Sequence, residues 1–195
     1  MTRTPEAGFL DALRAVRTAL DELRVASMII GGVAVIAHGV PRLTVDIDAT
    51  VVAAGLGIDR LTDVLAAHGI HGRIPDASAF AAAHQVFLAT HEPSGTPVDI
   101  SLAWLPFEEE ALGASVSCDY AGVAIRIPRA EDLVVYKLVA SRPRDVDDAE
   151  GLLLLHGTGM DLARVRKIVG ELSSLLDDSE RPKALERLIE RTGLR

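Results

Sequence analysis

"IIGGVAVIAHGVPRLTVDIDATVV", residues Ile29 to Val52, decides how the rest of the chain is read. An apolar run ends at Gly31 and Gly32. The segment "VAVIAHG" is too short for an independent helix but suits a two-turn helix held by packing. Gly39 and Pro41 mark where it stops. "LTVDIDATVV" alternates and is rich in β-branched residues, which predicts a strand over residues 43–52. Asp46 and Asp48 are two apart on that strand, so both are expected on one face. Val45, Ile47 and Ala49 are expected on the other, toward a core. Two carboxylates this close repel unless one is protonated or a cation lies between them. Mg²⁺ resolves the conflict, because it prefers carboxylate oxygens and keeps waters that a phosphate can displace.

The same pattern returns downstream. In "PVDISLA", Val98, Ile100 and Leu102 share one face and Asp99 and Ser101 the other. If this strand neighbours residues 45–51, three carboxylates converge, an arrangement suited to two metal ions in a phosphoryl transfer. Gly31 and Gly32, at a strand end and a helix start, let backbone N–H groups approach an anion.

Outward from this segment, residues 6–26 read as an amphipathic helix through Phe9, Leu10, Leu13, Val16, Leu20 and Leu23. "SMII" is a short strand, and residues 57–69 are helical up to a stop at Gly69. "HQVFLATH" and "TPVDISLAWL" are strands joined by "EPSG", and "VSCDYAGVAIRIP" is a second hairpin. From Pro128 the pattern is all helix: "RAEDLVVYKLVAS", "RDVDDAEGLLLLHG", residues 161–175 and residues 178–192. The expected fold class is α/β, more loosely α+β: a small mixed sheet flanked by helices, then a helical lobe. The expected units are a core over 1–127 and a lobe over 128–195 that closes a cleft, with one compact unit as the alternative because no flexible linker marks the boundary.

Composition sets the outer bounds. At 195 residues, 49% of them apolar, the chain can bury a real core, built from Leu, Val, Ile and Ala because aromatics are scarce. A single cysteine, Cys118, excludes an intrachain disulfide and a cysteine-built zinc site. No apolar run is long enough for a bilayer and no basic n-region precedes an h-region, so the expected compartment is the cytoplasm, with no membrane partner. Residues 1–125 carry 7 basic and 15 acidic side chains, a net of −8, and residues 126–195 carry 13 of each. No overall basic field draws in nucleic acid, although the basic residues of the second half could serve an RNA if they cluster.

"IGGVAVIAHGVPRLTVDIDA" resembles the hallmark of the polymerase β-like nucleotidyltransferase superfamily, G-[GS] followed by D-h-[DE]-h. Here 13 residues separate Gly32 from Asp46. The form "GG-x-A-x-x-x-HG-x-x-R-x-T-x-D-I-D" is similar to the bacterial minimal nucleotidyltransferases of the AbiEii type, toxins of abortive-infection and type IV toxin–antitoxin systems. "EDLVVYKLVASRPRDVDD", with Glu131, Asp132, Lys137, Arg142, Arg144, Asp145 and Asp148, resembles their second conserved segment. The matching segments span residues 28–155, and the last 40 residues match no motif.

The resemblance implies metal-dependent transfer of a nucleoside monophosphate from an NTP to an acceptor hydroxyl. It assigns Asp46, Asp48 and Asp99 to two Mg²⁺ ions, with Mn²⁺ as a substitute, and gives Asp99 a part in deprotonating the acceptor. Gly31 and Gly32 would hold phosphates, with Arg42, Thr44 and Lys137 as further nucleotide contacts. The implied acceptor is tRNA, other RNA or protein, and an antitoxin protein is an implied partner. Two rivals share the motif: an antibiotic-type enzyme with a small-molecule acceptor, and a silent module that binds nucleotide or partner without turnover.

Other residues carry weaker signals. His38 either touches nucleotide or caps a helix C-terminus. His68 and His71 straddle Gly69 and read as loop residues rather than a metal pair. Asp145 and Asp148 are placed to pair with Arg142 or Arg144. Glu108–Glu110 read as a solvated face, and Trp104 as packing or a cleft border.

Overall fold

The computed structural model describes residues 7–194 of the chain. Five strands form one sheet: β1 (Ser27–Ile29), β2 (Ile47–Val52), β3 (Ile70–Gly72), β4 (Val86–His91) and β5 (Thr96–Ala103). Their order is β1-β2-β5-β4-β3, with β2 and β5 parallel and the other neighbours antiparallel. Among the described residues nine α-helices surround or follow it: α1 (Ala7–Leu23), α2 (Gly31–Ala37), α3 (Ile58–Ala67), α4 (Ala77–His84), α5 (Pro106–Gly113), α6 (Ala130–Ala140), α7 (Pro143–His156), α8 (Leu162–Leu175) and α9 (Glu180–Arg191). A separate hairpin of β6 (Val116–Tyr120) and β7 (Val123–Ile127) leads into α6. The expected mixed sheet followed by an all-helical C-terminal segment is the observed architecture.

The first helix begins within the described residues at Ala7, and its expected start at residue 6 lies outside them. Its stripe of Leu13, Val16, Leu20 and Leu23 is buried as periodicity predicts. The β4–β5 hairpin turns through Glu92–Gly95, as "EPSG" suggests. The β6–β7 hairpin turns through Ala121 and Gly122, both at positive φ, the primed turn that matches strand twist. The α6–α7 junction follows from "SRPR". Ser141 ends α6 in the left-handed region, Arg142 is extended as a residue before proline must be, and Pro143 opens α7.

Three elements escaped sequence reading. The strand β3 is only three residues long. The helix α4, "ASAFAAAH", has no apolar stripe because five of its eight positions are Ala, so propensity rather than pattern forms it. The helix α5 carries Glu108–Glu110, of which Glu109 and Glu110 are exposed as expected of a solvated face. Glu108 accepts from the Trp104 and Leu105 N–H groups at 3.1 Å each, and Glu110 accepts from Arg164.

One apolar core runs from Ala12 and Leu13 of α1 through the sheet to Leu185, Leu188 and Ile189 of α9. Among the described residues no helix is long and apolar enough to cross a membrane.

Candidate active site

Asp48 and Asp99 are direct partners in the parallel β2–β5 ladder. Paired residues of neighbouring strands share a face, with backbones about 5 Å apart, so the two carboxylates meet as the alternation predicted. Asp46 differs from expectation. The strand begins at Ile47, not at Leu43, and Asp46 lies in the bend that enters it. Val45, expected toward the core, is 74% exposed. Residues 43–46 pair with neither neighbour of β2: the pairs with β1 begin at Ala49 and those with β5 at Ile47. Thr44 compensates: its hydroxyl donates to Asp46 Oδ1 at 2.7 Å and fixes that carboxylate.

The glycine pair is explained by these same side chains. Gly31 has φ +61, and a Cβ there would stand 2.6 Å from the Asp48 Cγ. A Cβ on Gly32 would stand 2.8 Å from the Thr44 Cβ and 3.0 Å from Arg42 Nη2. The Ile30 N–H donates to the Asp48 carbonyl at 2.8 Å, which ties the start of α2 to the carboxylate strand. No side chain caps the N-terminus of α2, so its first-turn N–H groups are left for another acceptor.

Electrostatics mark Asp48. Burial, then the neighbouring Asp46 and Asp99 carboxylates, push its acid up to about 6, while Lys137 and Arg142 draw it down. A carboxylate so disfavoured as an anion is what a divalent cation would relieve, and the donor set, all carboxylate oxygen, fits Mg²⁺ in kind. The three groups do not form a preformed cage. Among the described residues no three acidic, histidine or cysteine side chains converge closely enough for one.

The cations expected near the nucleotide form a second cluster. Lys137 lies buried on α6, with Nζ 3.0 Å from Asp145 Oδ1 and 2.9 Å from Asp148 Oδ2. Arg42 pairs with the same Asp148. Lys137 is therefore held by α7 carboxylates rather than standing free toward the acidic cleft. Asp145 and Asp148 pair with Lys137 and Arg42, not with the expected Arg142 or Arg144.

Sequence reading missed Arg73. Its guanidinium donates to both oxygens of Asp99, to Oδ2 at 3.1 Å, and to the Ala89 carbonyl at 2.8 Å. No local motif announces it. Arg73 follows β3, and only the β3–β4–β5 pairing brings it to Asp99.

The remaining candidates fall away from the carboxylates. His38 is the C-cap residue of α2, and its Nε2 donates to the Pro128 carbonyl at 2.8 Å, with burial lowering its pKa. His68 donates to Glu22 and His71 faces Glu92, so they do not act as a pair. Cys118 is half-buried in β6. Trp104 is 64% exposed, just beyond the far end of β5 from Asp99.

No protein-family model matches the chain, and no curated protein matches it in sequence. Solved structures do. The solution structure of the antibiotic-resistance factor ANT(2'')-Ia superposes with a TM-score of 0.60 at 18% identity, covering 88% of this chain and 95% of that one. An antigenic nucleotidyltransferase-like protein from Paracoccidioides brasiliensis gives 0.54 at 17% identity, covering 93% and 95%. JHP933 from Helicobacter pylori gives 0.52 at 16% identity, covering 97% and 93%. At these identities the likeness is one of fold, and the fold is that of nucleotidyltransferases.

Proposed function

We propose that this chain is a divalent-metal-dependent nucleotidyltransferase that moves a nucleoside monophosphate from an NTP to an acceptor hydroxyl and releases pyrophosphate. The observation that carries this reading is the in-register pairing of Asp48 with Asp99, beside a glycine turn shaped around the Asp48 carboxylate. Asp46, Asp48 and Asp99 would hold Mg²⁺, which when bound supplies charge neutralisation at the triphosphate and the attacking oxygen. Thr44 keeps Asp46 oriented. Asp99 takes the acceptor's hydroxyl proton on a carboxylate oxygen. Gly31 and Gly32 offer backbone N–H groups to the phosphates. Arg42 borders the nucleotide and is anchored to α7 through Asp148, which Lys137 holds from behind. The helical segment, residues 128–195, acts as the lobe that closes over the cleft. Catalysis on this plan is positioning and electrostatic stabilisation.

Two acceptor classes follow. The motif resemblance to AbiEii-type toxins favours tRNA, other RNA or protein, with an antitoxin as partner, in the cytoplasm. The charge arrangement favours a small acceptor bearing amines and hydroxyls. Basic side chains of the helical segment are largely tied to carboxylates, such as Arg164 to Asp132 and Glu110, Arg166 to Glu186 and Arg191 to Glu150. A polyanion therefore meets few free cations, while the acidic half attracts a polycation. ANT(2'')-Ia, which shares the fold, is known in complex with adenylyl-2''-tobramycin. The test is α-³²P-labelled NTP with Mg²⁺, offered in parallel to total tRNA, protein and aminoglycosides. Label on tRNA or protein selects the toxin reading and label on aminoglycoside the small-molecule one. No label on any acceptor, with nucleotide binding unchanged in Asp46→Ala, overturns the enzyme reading in favour of the silent module.

A further inference from the structure

The Arg73 guanidinium stands at Asp99 in the place of a cation. It engages both carboxylate oxygens in a fork, the geometry of the strong charge-assisted pair. Its hold does not depend on Asp99 alone, because Nη1 also donates to the Ala89 carbonyl at 2.8 Å and the Val98 carbonyl at 3.4 Å. The guanidinium is thereby also tied to β4 and β5, so it stays beside the site when it gives up the carboxylate. Both partners are about a third exposed, so solutes reach the pair from the cleft. Asp46 and Asp48 also act on this guanidinium, which puts one fixed positive charge beside all three carboxylates.

We propose that Arg73 is a resident counter-cation that competes with divalent metal for Asp99, so that metal fills the site only by displacing the guanidinium from that carboxylate. This rests on the metal-binding reading of Asp46, Asp48 and Asp99. Its consequence is a site that stays folded without metal and binds it weakly until the guanidinium has another acceptor. The phosphates of an incoming nucleotide are an acceptor of the right geometry for a guanidinium. Arg73 is in these terms a positioning residue, acting through Asp99.

The test is a Mn²⁺ titration of the full-length protein without nucleotide, followed by calorimetry and by the free-Mn²⁺ spin-resonance signal. It compares wild type, Arg73→Gln and Arg73→Lys, with thermal melts to verify folding. Removing a charge-assisted pair at one ligand is expected to tighten Mn²⁺ binding about tenfold or more in Arg73→Gln. Lysine keeps the charge but loses the fork, so Arg73→Lys should lie between. Wild-type uptake that Arg73→Gln leaves equal or weakens overturns this inference and leaves the metal reading standing. No uptake by either protein overturns both. A lowered melting temperature with unchanged Mn²⁺ affinity would make Arg73 a structural residue only, and also overturns it.

Discussion

At the scale of single residues, the candidate site is a set of close approaches that few side chains permit. Gly31→Ala would add a methyl group to a left-handed residue facing the Asp48 carboxylate. Handedness and crowding together should cost at least about 2 kcal/mol, read as a lower urea midpoint. Asp48→Asn should remove nucleotidyl transfer and leave the protein folded. The variant should also expose a pH dependence. Asp48 has a folded pKa raised to about 6, above that of the unfolded chain. A raised carboxyl binds more protons folded than unfolded, so its contribution is fully present below about pH 4 and is lost as pH rises through about 6. The Asp48 contribution should therefore fall by about 2 kcal/mol across that window, seen as the difference in pH dependence between metal-free wild type and Asp48→Asn. Urea melts at pH 4 and pH 7 in EDTA measure both. Asp48, Asp99 and the glycines were legible in sequence because alternation and chain reversal leave local signatures. Arg73 was not, since its role depends on two strand pairings that no local pattern encodes.

At the scale of elements, the chain between α2 and β2 lies along α7. A Cβ on Gly39 would meet Leu155, a Cβ on Gly151 would meet Val40, and Arg42 pairs with Asp148. The contacts descend α7 one turn at a time and end at the buried Lys137, Asp145 and Asp148 cluster, three charges each less than a tenth exposed. Asp145 Oδ2 is buried with no hydrogen-bond partner, so Lys137 is what keeps that carboxylate tolerable. Lys137→Met should destabilise by about 3–5 kcal/mol, because it strands the buried Asp145 carboxylate and leaves Asp148 to Arg42 alone. Adding Asp145→Asn should recover part of the loss, a coupling that a double-mutant cycle in urea would measure. Sequence placed these helices correctly because their ends are written in Ser-Arg-Pro-Arg and in glycine. It could not say that Lys137 points to α7 rather than to the cleft, because helical phase does not choose between two acidic neighbours.

At the scale of the whole molecule, buried side chains from α1 to α9 belong to one apolar cluster. The fully buried Leu133, Val134, Val135 and Leu138 of α6 mean that a chain ending at residue 127 would leave apolar surface uncovered. Such a fragment should show no cooperative melt by circular dichroism, while the full chain melts in a single transition. The strand order carries one more consequence. The central strand, β5, joins β2 on one side and β4 on the other, and it is the last of the five in the chain. While the protein is being synthesised, what precedes β5 can form only two separate strand pairs, each with an open edge where β5 belongs. Asp99 arrives on the strand that joins those halves, so the carboxylate pair comes into being at the moment the sheet closes. A nascent chain halted before residue 96 has Asp46 and Asp48 but no third carboxylate and no continuous sheet, so on the proposed mechanism it is inactive until β5 is in place.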